Sequence, residues 1–133
     1  MPRQATISPD DISALVDCFY DKVRLDPLIG PVFNAAVHDW NAHKRLLVSF
    51  WSSLLIERGS YHGNPLMKHR GHGIENQHFE RWLRLWHETS DALFDAETAG
   101  VFQEFAGRIS LGMRMGLGLR DNSIGKSLGL AVR

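Results

Sequence analysis

Apolar side chains recur at three- and four-residue spacing through four long segments of this chain, and this is the spacing of one face of an α-helix. In the first segment the residues that share such a face are Ile12, Leu15, Val16, Phe19, Tyr20 and Val23. No segment alternates apolar and polar residues for long enough to indicate a strand. The pattern therefore predicts an all-α fold, with helices near 8–24, 39–58, 77–94 and 96–117.

Residues with capping and helix-breaking chemistry mark the ends of these helices. Ser8 can accept a hydrogen bond from a free backbone N–H, Pro9 suits the first turn, and Asp11 favours the positive end of the helix dipole. The segment DPLIGP (26–31) ends the first helix, because its prolines and its glycine disfavour a helix interior. Asp95 can cap the last helix.

The charge balance of the chain excludes some classes of partner. Among its 133 residues, 15 Lys plus Arg equal 15 Asp plus Glu, so the formal net charge is zero. Nucleic acids and anionic membranes attract a positive surplus, so we expect neither as a partner. The N-terminus lacks a signal-peptide pattern, and no run approaches the roughly 18 apolar residues of a membrane helix.

Cysteine usage points to a cellular compartment. Cys18 is the one cysteine, so no internal disulfide forms, which fits a reducing, intracellular environment. Its apolar neighbours predict a small buried side chain. We therefore expect one cytoplasmic domain over residues 1–133, with a core of about 8–117 and a flexible tail at 118–133.

Three histidines, His69, His72 and His78, lie within ten residues of one another, and His62 lies just upstream. A structural zinc site needs four Cys or His ligands in tight pairs, and this chain has neither a Cys pair nor an H-E-x-x-H motif. The glycines on both sides of His72 also disfavour a helix that would align it with His69. A single histidine bound to a haem fits better, because the porphyrin supplies four nitrogens of its own.

Polar side chains on the predicted apolar faces are the other candidates for a site. Tyr20 lies on the first face, His43 on the second and Trp82 on the third. Taken singly, each is more often a core residue with one hydrogen-bond partner than a functional group. Both interpretations remain open from the residues alone.

Four segments give the chain a resemblance to a known family. They are FYDKVRLDPLIGPVFN (19–34), WNAHK with the following FW (40–51), YHGNPLMKH (61–69) and HFERWLRLW (78–86). In order and spacing they are similar to the landmarks of the group III truncated haemoglobins, over residues 8–117. The resemblance implies a two-over-two helical sandwich around haem b.

Matching positions imply the roles of individual residues. His69, at the end of PLMKH, matches the proximal ligand of the haem iron. Tyr20, His43 and Trp82 match three distal positions that face a bound ligand. Trp51 matches a tryptophan that is usual in the group. The residues expected to contact the cofactor are Phe33, Leu47, Phe50, Tyr61, Lys68, Phe79 and Arg81.

Two features of the expected proximal side stay open. Lys68, Arg70 and Arg81 are as readily solvated surface charges as partners of the haem propionates. Where family members usually have Leu-Pro, this chain has His72 followed by glycine. Glycine costs ordering entropy, so we expect a more mobile proximal loop. An alternative role of His72 as the ligand stays open.

The resemblance implies binding of dioxygen, carbon monoxide, nitric oxide or similar small ligands at a five-coordinate iron. Three distal hydrogen-bond donors predict tight binding and slow release, which suits sensing, storage or redox chemistry better than bulk oxygen transport. The alternative is a haem redox enzyme, with nitric oxide dioxygenase or peroxidase-like activity, that takes electrons from an external reductase. A haem-free helical interaction module is the third hypothesis.

Overall fold

The computed structural model of the chain describes residues 6–56, 69 and 71–119, and within them it contains five helices and no strand. In chain order, the helices are α1 (Pro9–Leu25), α2 (Gly30–Ala36), α3 (Trp40–Leu55), α4 (Asn76–Leu93) and α5 (Ala96–Gly116). The four predicted helices are therefore confirmed, and the second ends earlier than expected. The predicted tail lies almost wholly outside the described residues.

The predicted helix starts are confirmed by their hydrogen bonds. Ser8 Oγ accepts from the Asp11 N–H at 3.1 Å, and the Asp11 carboxylate accepts from the Ser8 N–H at 3.0 Å. This reciprocal pair satisfies two backbone donors that would otherwise lack a partner at the helix end. Asp95 caps α5 by accepting from the Thr98 N–H at 2.8 Å.

Helix α2 is an element that the sequence pattern does not predict. Proline and glycine disfavour a helix interior, but Gly30 and Pro31 both lie in the first turn of α2, where proline is well tolerated. The buried Asp26 carboxylate orders the turn before them by accepting from the N–H groups of Leu28 and Ile29, both at 2.9 Å. The short segment that ends α1 therefore also contains the start of α2.

Helix α1 is the centre of the core. It packs against α2, α3 and α4, and α4 packs against α5, so the pair α1–α3 meets the pair α4–α5 through the α1–α4 contact. The core residues of α1 are those of its predicted face: Ile12, Leu15, Val16, Phe19, Tyr20 and Val23. Trp86 lies fully buried beneath them, stacks on Trp51 with ring centroids 4.7 Å apart, and donates its indole N–H to the Phe102 carbonyl at 3.0 Å.

The prediction of a buried Cys18 is wrong. This thiol is exposed, because residue 18 lies on the face of α1 that points away from the core. Among the described residues, no helix combines the length and the apolar character that crossing a membrane requires.

We expect Gly30→Ala to destabilise the protein. A Cβ at this buried position would lie 3.0 Å from the backbone carbonyl oxygens of Val23 and Arg24, which cannot move without shifting α1 against α2. Urea denaturation should show a loss of about 1–3 kcal/mol in the free energy of unfolding.

The matched control is Gly100→Ala in α5, where an added Cβ meets nothing within 4 Å. There the substitution should stabilise the protein by about 0.5–1 kcal/mol, because glycine is a poor helix residue. Equal effects at the two positions would contradict the close approach of α2 to α1.

Candidate functional site

A cavity of about 560 Å³ lies among the helices, with residues of all five in its wall. This volume falls within the range of about 300–1,000 Å³ that is typical of small-molecule and cofactor sites. Most of the wall is apolar. The polar and amphipathic side chains that line it are Tyr20, His38, Asp39, His43, His69, His72, His78 and Trp82.

Tyr20 lies where the core face of α1 meets the cavity. Its side chain is buried, and its phenol oxygen accepts a hydrogen bond from the Trp82 indole N–H at 3.4 Å. This bond is longer than the usual range of about 2.7–3.2 Å, so it is weak. Burial raises the pKa of Tyr20 from 10.0 to about 12, against a smaller lowering by the Trp82 hydrogen bond. The phenol is therefore neutral over the whole physiological pH range.

His43 points into the cavity from the first turns of α3. The Asp39 side chain caps this helix by accepting from the Ala42 N–H at 3.1 Å, which fixes where α3 begins. The His43 imidazole meets the Tyr20 ring edge-on at 5.9 Å and the Trp40 ring edge-on at 5.5 Å. The structure therefore brings together the three side chains Tyr20, His43 and Trp82.

Apolar residues on four elements form the remaining wall. Four of the side chains expected to contact the cofactor line the cavity: Phe33 on α2, Leu47 and Phe50 on α3, and Phe79 on α4. The Phe33 ring lies 5.8 Å from that of Tyr20. Trp51 lines the cavity as well, although nearly all of its surface is buried in the core.

His69 and His72 line the same cavity, and they differ in burial. His69 is half-buried, whereas His72 is exposed. The glycines beside His72 have positive φ values, +84° at Gly71 and +69° at Gly73, which other residues rarely adopt. An added Cβ at either would meet nothing within 4 Å, so the backbone conformation, and not space, favours glycine there.

His78 combines a structural contact with a place in the cavity wall. Its Nδ1 accepts from the Glu75 N–H at 2.8 Å and so satisfies a backbone donor at the start of α4. Because Nδ1 acts as an acceptor, the proton of the neutral ring lies on Nε2. The sequence did not indicate that this side chain also lines the cavity.

Arg81 lies in a different environment from the one expected for a cofactor contact. Its guanidinium pairs with the buried Asp26 carboxylate at 3.6 Å and is not among the side chains that line the cavity. Tyr61, Lys68 and Arg70 lie outside the described residues, as does His62.

Sequence reasoning did not select several other side chains of the wall. His38 lies between α2 and α3, and Ile109 and Met113 reach the cavity from α5. Ile109 and Met113 have the spacing of one helical face, but periodicity does not separate a core contact from a cavity wall. His38 carried no signal, because the helix that precedes it was not predicted.

The polar groups of the cavity do not form a site for a bare metal ion. Within the described part of the chain, no three His, Cys, Asp or Glu side chains are grouped so that they could hold one. An apolar cavity with separate imidazoles suits instead a large, largely apolar group that supplies most of its own metal ligands.

Comparison with known proteins identifies a family and relatives within it. The model of the bacterial-like globin family matches residues 8–105. A group 3 truncated haemoglobin of Campylobacter jejuni is 34% identical over 110 residues, which cover 79% of this chain and 87% of that protein. The crystal structure of a group III truncated haemoglobin from Campylobacter jejuni superposes with a TM-score of 0.77 at 34% identity, covering 87% of this chain and 95% of that one. These matches confirm the family resemblance and the truncated-globin fold that the sequence predicts.

The raised pKa of Tyr20 predicts a specific loss of stability at alkaline pH. Between pH 10 and about 12 the folded protein keeps the phenolic proton that the unfolded chain releases, so the unfolded state binds fewer protons. The contribution of this proton to the free energy of unfolding is complete below pH 10 and disappears as the pH rises towards 12. The free energy of unfolding therefore falls by about 2–3 kcal/mol.

Urea denaturation of the wild type and of Tyr20→Phe across pH 8–12 measures this effect. Other groups titrate in both proteins and cancel in the difference between the two curves. The wild-type curve should fall more steeply above pH 10. Parallel curves would show that Tyr20 ionises at its ordinary pKa.

Proposed function

This chain belongs to the bacterial-like globins, and from that premise we propose that it binds dioxygen and other diatomic ligands tightly at the five-coordinate iron of haem b. Membership in the family implies a haem cofactor and small ligands. The observation that carries the finer proposal is the buried, neutral Tyr20 phenol, which accepts from Trp82 and adjoins the cavity.

The cavity suits a haem in its volume and in its wall. Phe33, Leu47, Phe50 and Phe79 offer apolar surface to a flat macrocycle, and His69 would hold the iron through one imidazole nitrogen. When bound, the haem would supply an iron that His69 could hold and that could take up a diatomic molecule.

The haem propionates need polar neighbours, and the cavity wall offers imidazoles. His78 presents an Nε2–H donor because Glu75 occupies its Nδ1. His72 is exposed and held between two glycines, which suits a side chain at the rim of the cavity. We therefore assign His72 and His78 to the propionates. Arg81 instead stabilises Asp26. Roles for Tyr61 and Lys68 remain predictions.

Tyr20 is the principal hydrogen-bond donor to a ligand in this proposal. A phenol has one proton, and Trp82 uses only the lone pairs of the oxygen, so the Tyr20 O–H proton remains available to a ligand in the cavity. Neutral pH lies far below the pKa of Tyr20, so the phenol keeps that proton. In a site of low dielectric such a hydrogen bond is stronger than in water.

Trp82 acts mainly through Tyr20. Its N–H polarises the phenol by donating to the oxygen, and the length of that bond allows the indole to turn towards a ligand at little cost. Trp82 and Tyr20 therefore form a chain of hydrogen bonds, and the distal donors do not stabilise a bound ligand independently of one another. His43 adds an imidazole to the same wall.

The alternative function, a haem redox enzyme, would use the same donors to polarise an O–O bond. It requires an electron donor from outside the chain. Sustained consumption of nitric oxide in the presence of an added reductase would favour that function over reversible binding. Stoichiometric oxidation without turnover would favour binding.

His69→Gly should lose the Soret band of the haem-loaded protein, because the iron loses its protein ligand. Added imidazole should restore the band by occupying the space of the lost side chain. His72→Ala is the matched control, since it removes an imidazole from the same wall and should leave the band in place. A full Soret band in His69→Gly, or its loss in His72→Ala alone, would reassign the ligand.

Tyr20→Phe should speed dioxygen dissociation by about tenfold, which corresponds to roughly 1.4 kcal/mol of lost stabilisation. Trp82→Phe should raise the dissociation rate by a smaller factor. The double variant should raise it by less than the product of the two single factors, because both residues belong to one network. Stopped-flow displacement of dioxygen by carbon monoxide measures the rates.

Leu47→Met is the control for these variants, because it changes the cavity wall without touching a donor. If dissociation is unchanged in both Tyr20→Phe and Trp82→Phe, the ligand is not held by this network.

A further inference from the structure

One lysine ties α3 to α1 beside the cavity. Lys44 Nζ lies 2.7 Å from Asp17 Oδ1 and 2.7 Å from Asp21 Oδ1. Both contacts are hydrogen bonds as well as ion pairs. The Lys44 side chain is only 16% exposed, whereas the two aspartates are 65% and 59% exposed. We refer to these three residues as the Lys44 clamp.

The clamp adjoins the two ligand-facing residues in sequence. Lys44 directly follows His43 on α3, and Asp21 directly follows Tyr20 on α1. Asp17 lies one turn before Asp21 on the same helix, so both carboxylates approach a single ammonium group. The residues that precede Lys44 and Asp21 are also in contact, because the His43 and Tyr20 rings meet edge-on with their centroids 5.9 Å apart.

The geometry makes the clamp stronger than an ordinary surface pair. An exposed ion pair contributes little, because two long side chains lose freedom for one contact. Here one lysine side chain loses its freedom for two contacts, and most of its surface is already buried. Burial of the ammonium lowers the pKa of Lys44, but the bonds to Asp17 and Asp21 outweigh this, and the pKa rises. Lys44 is therefore charged whenever the clamp is formed.

The clamp acts on the end of α3 where motion costs least. His43 lies in the first turns of this helix, near its Asp39 cap, and helix ends open more readily than their middles. If this end moved away from α1, His43 would leave the ring of Tyr20 and open the cavity wall. The Lys44 clamp opposes that movement directly.

We propose that the Lys44 clamp positions His43 as a gate and thereby sets the rate at which ligands enter the cavity. This inference rests on the proposed function. Lys44 is a positioning residue, since it lies outside the cavity wall and acts through His43. Breaking the clamp raises the fraction of time for which the wall is open and leaves the donors Tyr20 and Trp82 in place.

Ionic strength separates this mechanism from others. Carbon monoxide carries no charge, so salt cannot steer it towards the protein. Salt does weaken exposed ion pairs, with a screening length that falls from about 30 Å at 0.01 M to about 3 Å at 1 M. A dependence of the entry rate on salt therefore reports on charges that hold the wall closed.

The test measures carbon monoxide rebinding after flash photolysis of the haem-loaded protein. Lys44→Met should raise the association rate constant by about threefold to tenfold, the range expected for the loss of two modest ion pairs. Lys22→Met, the same change at an exposed lysine of α1 outside the clamp, should leave the rate unchanged. Lys44→Arg should stay near the wild-type rate because it keeps the charge.

Two further measurements distinguish gating from a general loss of stability. The wild-type rate should rise with salt towards that of Lys44→Met, whose own rate should not respond. In a Lys44→Met background, Asp17→Asn and Asp21→Asn should add nothing, because their partner is gone. The infrared stretching band of bound carbon monoxide should gain a component typical of an apolar environment in Lys44→Met, because His43 moves away from the ligand.

The outcomes are decisive for the clamp. If Lys44→Met folds, binds carbon monoxide at the wild-type rate and shows the same salt response, the inference is wrong. If Lys44→Met does not fold, Asp17→Asn makes the same comparison with one contact removed. A wild-type protein that binds neither haem nor carbon monoxide would overturn the proposed function and this inference together, whereas wild-type binding with unchanged variants overturns the inference alone.

Discussion

The hydrogen bond from Trp82 to Tyr20 joins the core of this protein to its cavity, and the ligand binding that we propose uses it. Tyr20 belongs to the buried face of α1, while Trp82 reaches it from α4. Phe19, one residue earlier, meets the rings of both Trp82 and Trp86 edge-on. The packing of α1 against α4 therefore fixes the phenol, and the direction of this bond leaves the phenolic proton available to the cavity.

The helices follow from local physical chemistry, and this is why most of them were predictable. Their apolar period, together with the caps at Ser8 and Asp95, specifies α1, α3, α4 and α5 from short stretches of sequence. Helix α2 has seven residues, too few for a period to be recognised, and it begins with glycine and proline. The turn before it is ordered by the Asp26 carboxylate, whose partners are brought together only when the turn forms.

The sequence predicted those site residues that can be identified from their own segment of the chain. Matching segments pointed to Tyr20, His43 and Trp82, and the structure brings the three together. The sequence did not indicate that Arg81 pairs with Asp26, because Asp26 is distant in sequence and the pair forms through tertiary packing. Exposure has the same limit: Cys18 has apolar neighbours along the chain, yet the helical twist turns it towards solvent.

Helix α1 contributes to two separable properties of the cavity. On one side, Tyr20 contacts Trp82 of α4, and in the proposed function this contact determines how strongly a bound ligand is held. On the other, Lys44 of α3 contacts Asp17 and Asp21, and in our proposal this contact determines how readily the wall opens. The first interaction joins two uncharged, largely buried groups, so salt does not screen it, whereas the second joins charges near the surface and is screened. Because they involve different neighbours of one helix, a sequence change can alter ligand entry without altering ligand retention, and the reverse.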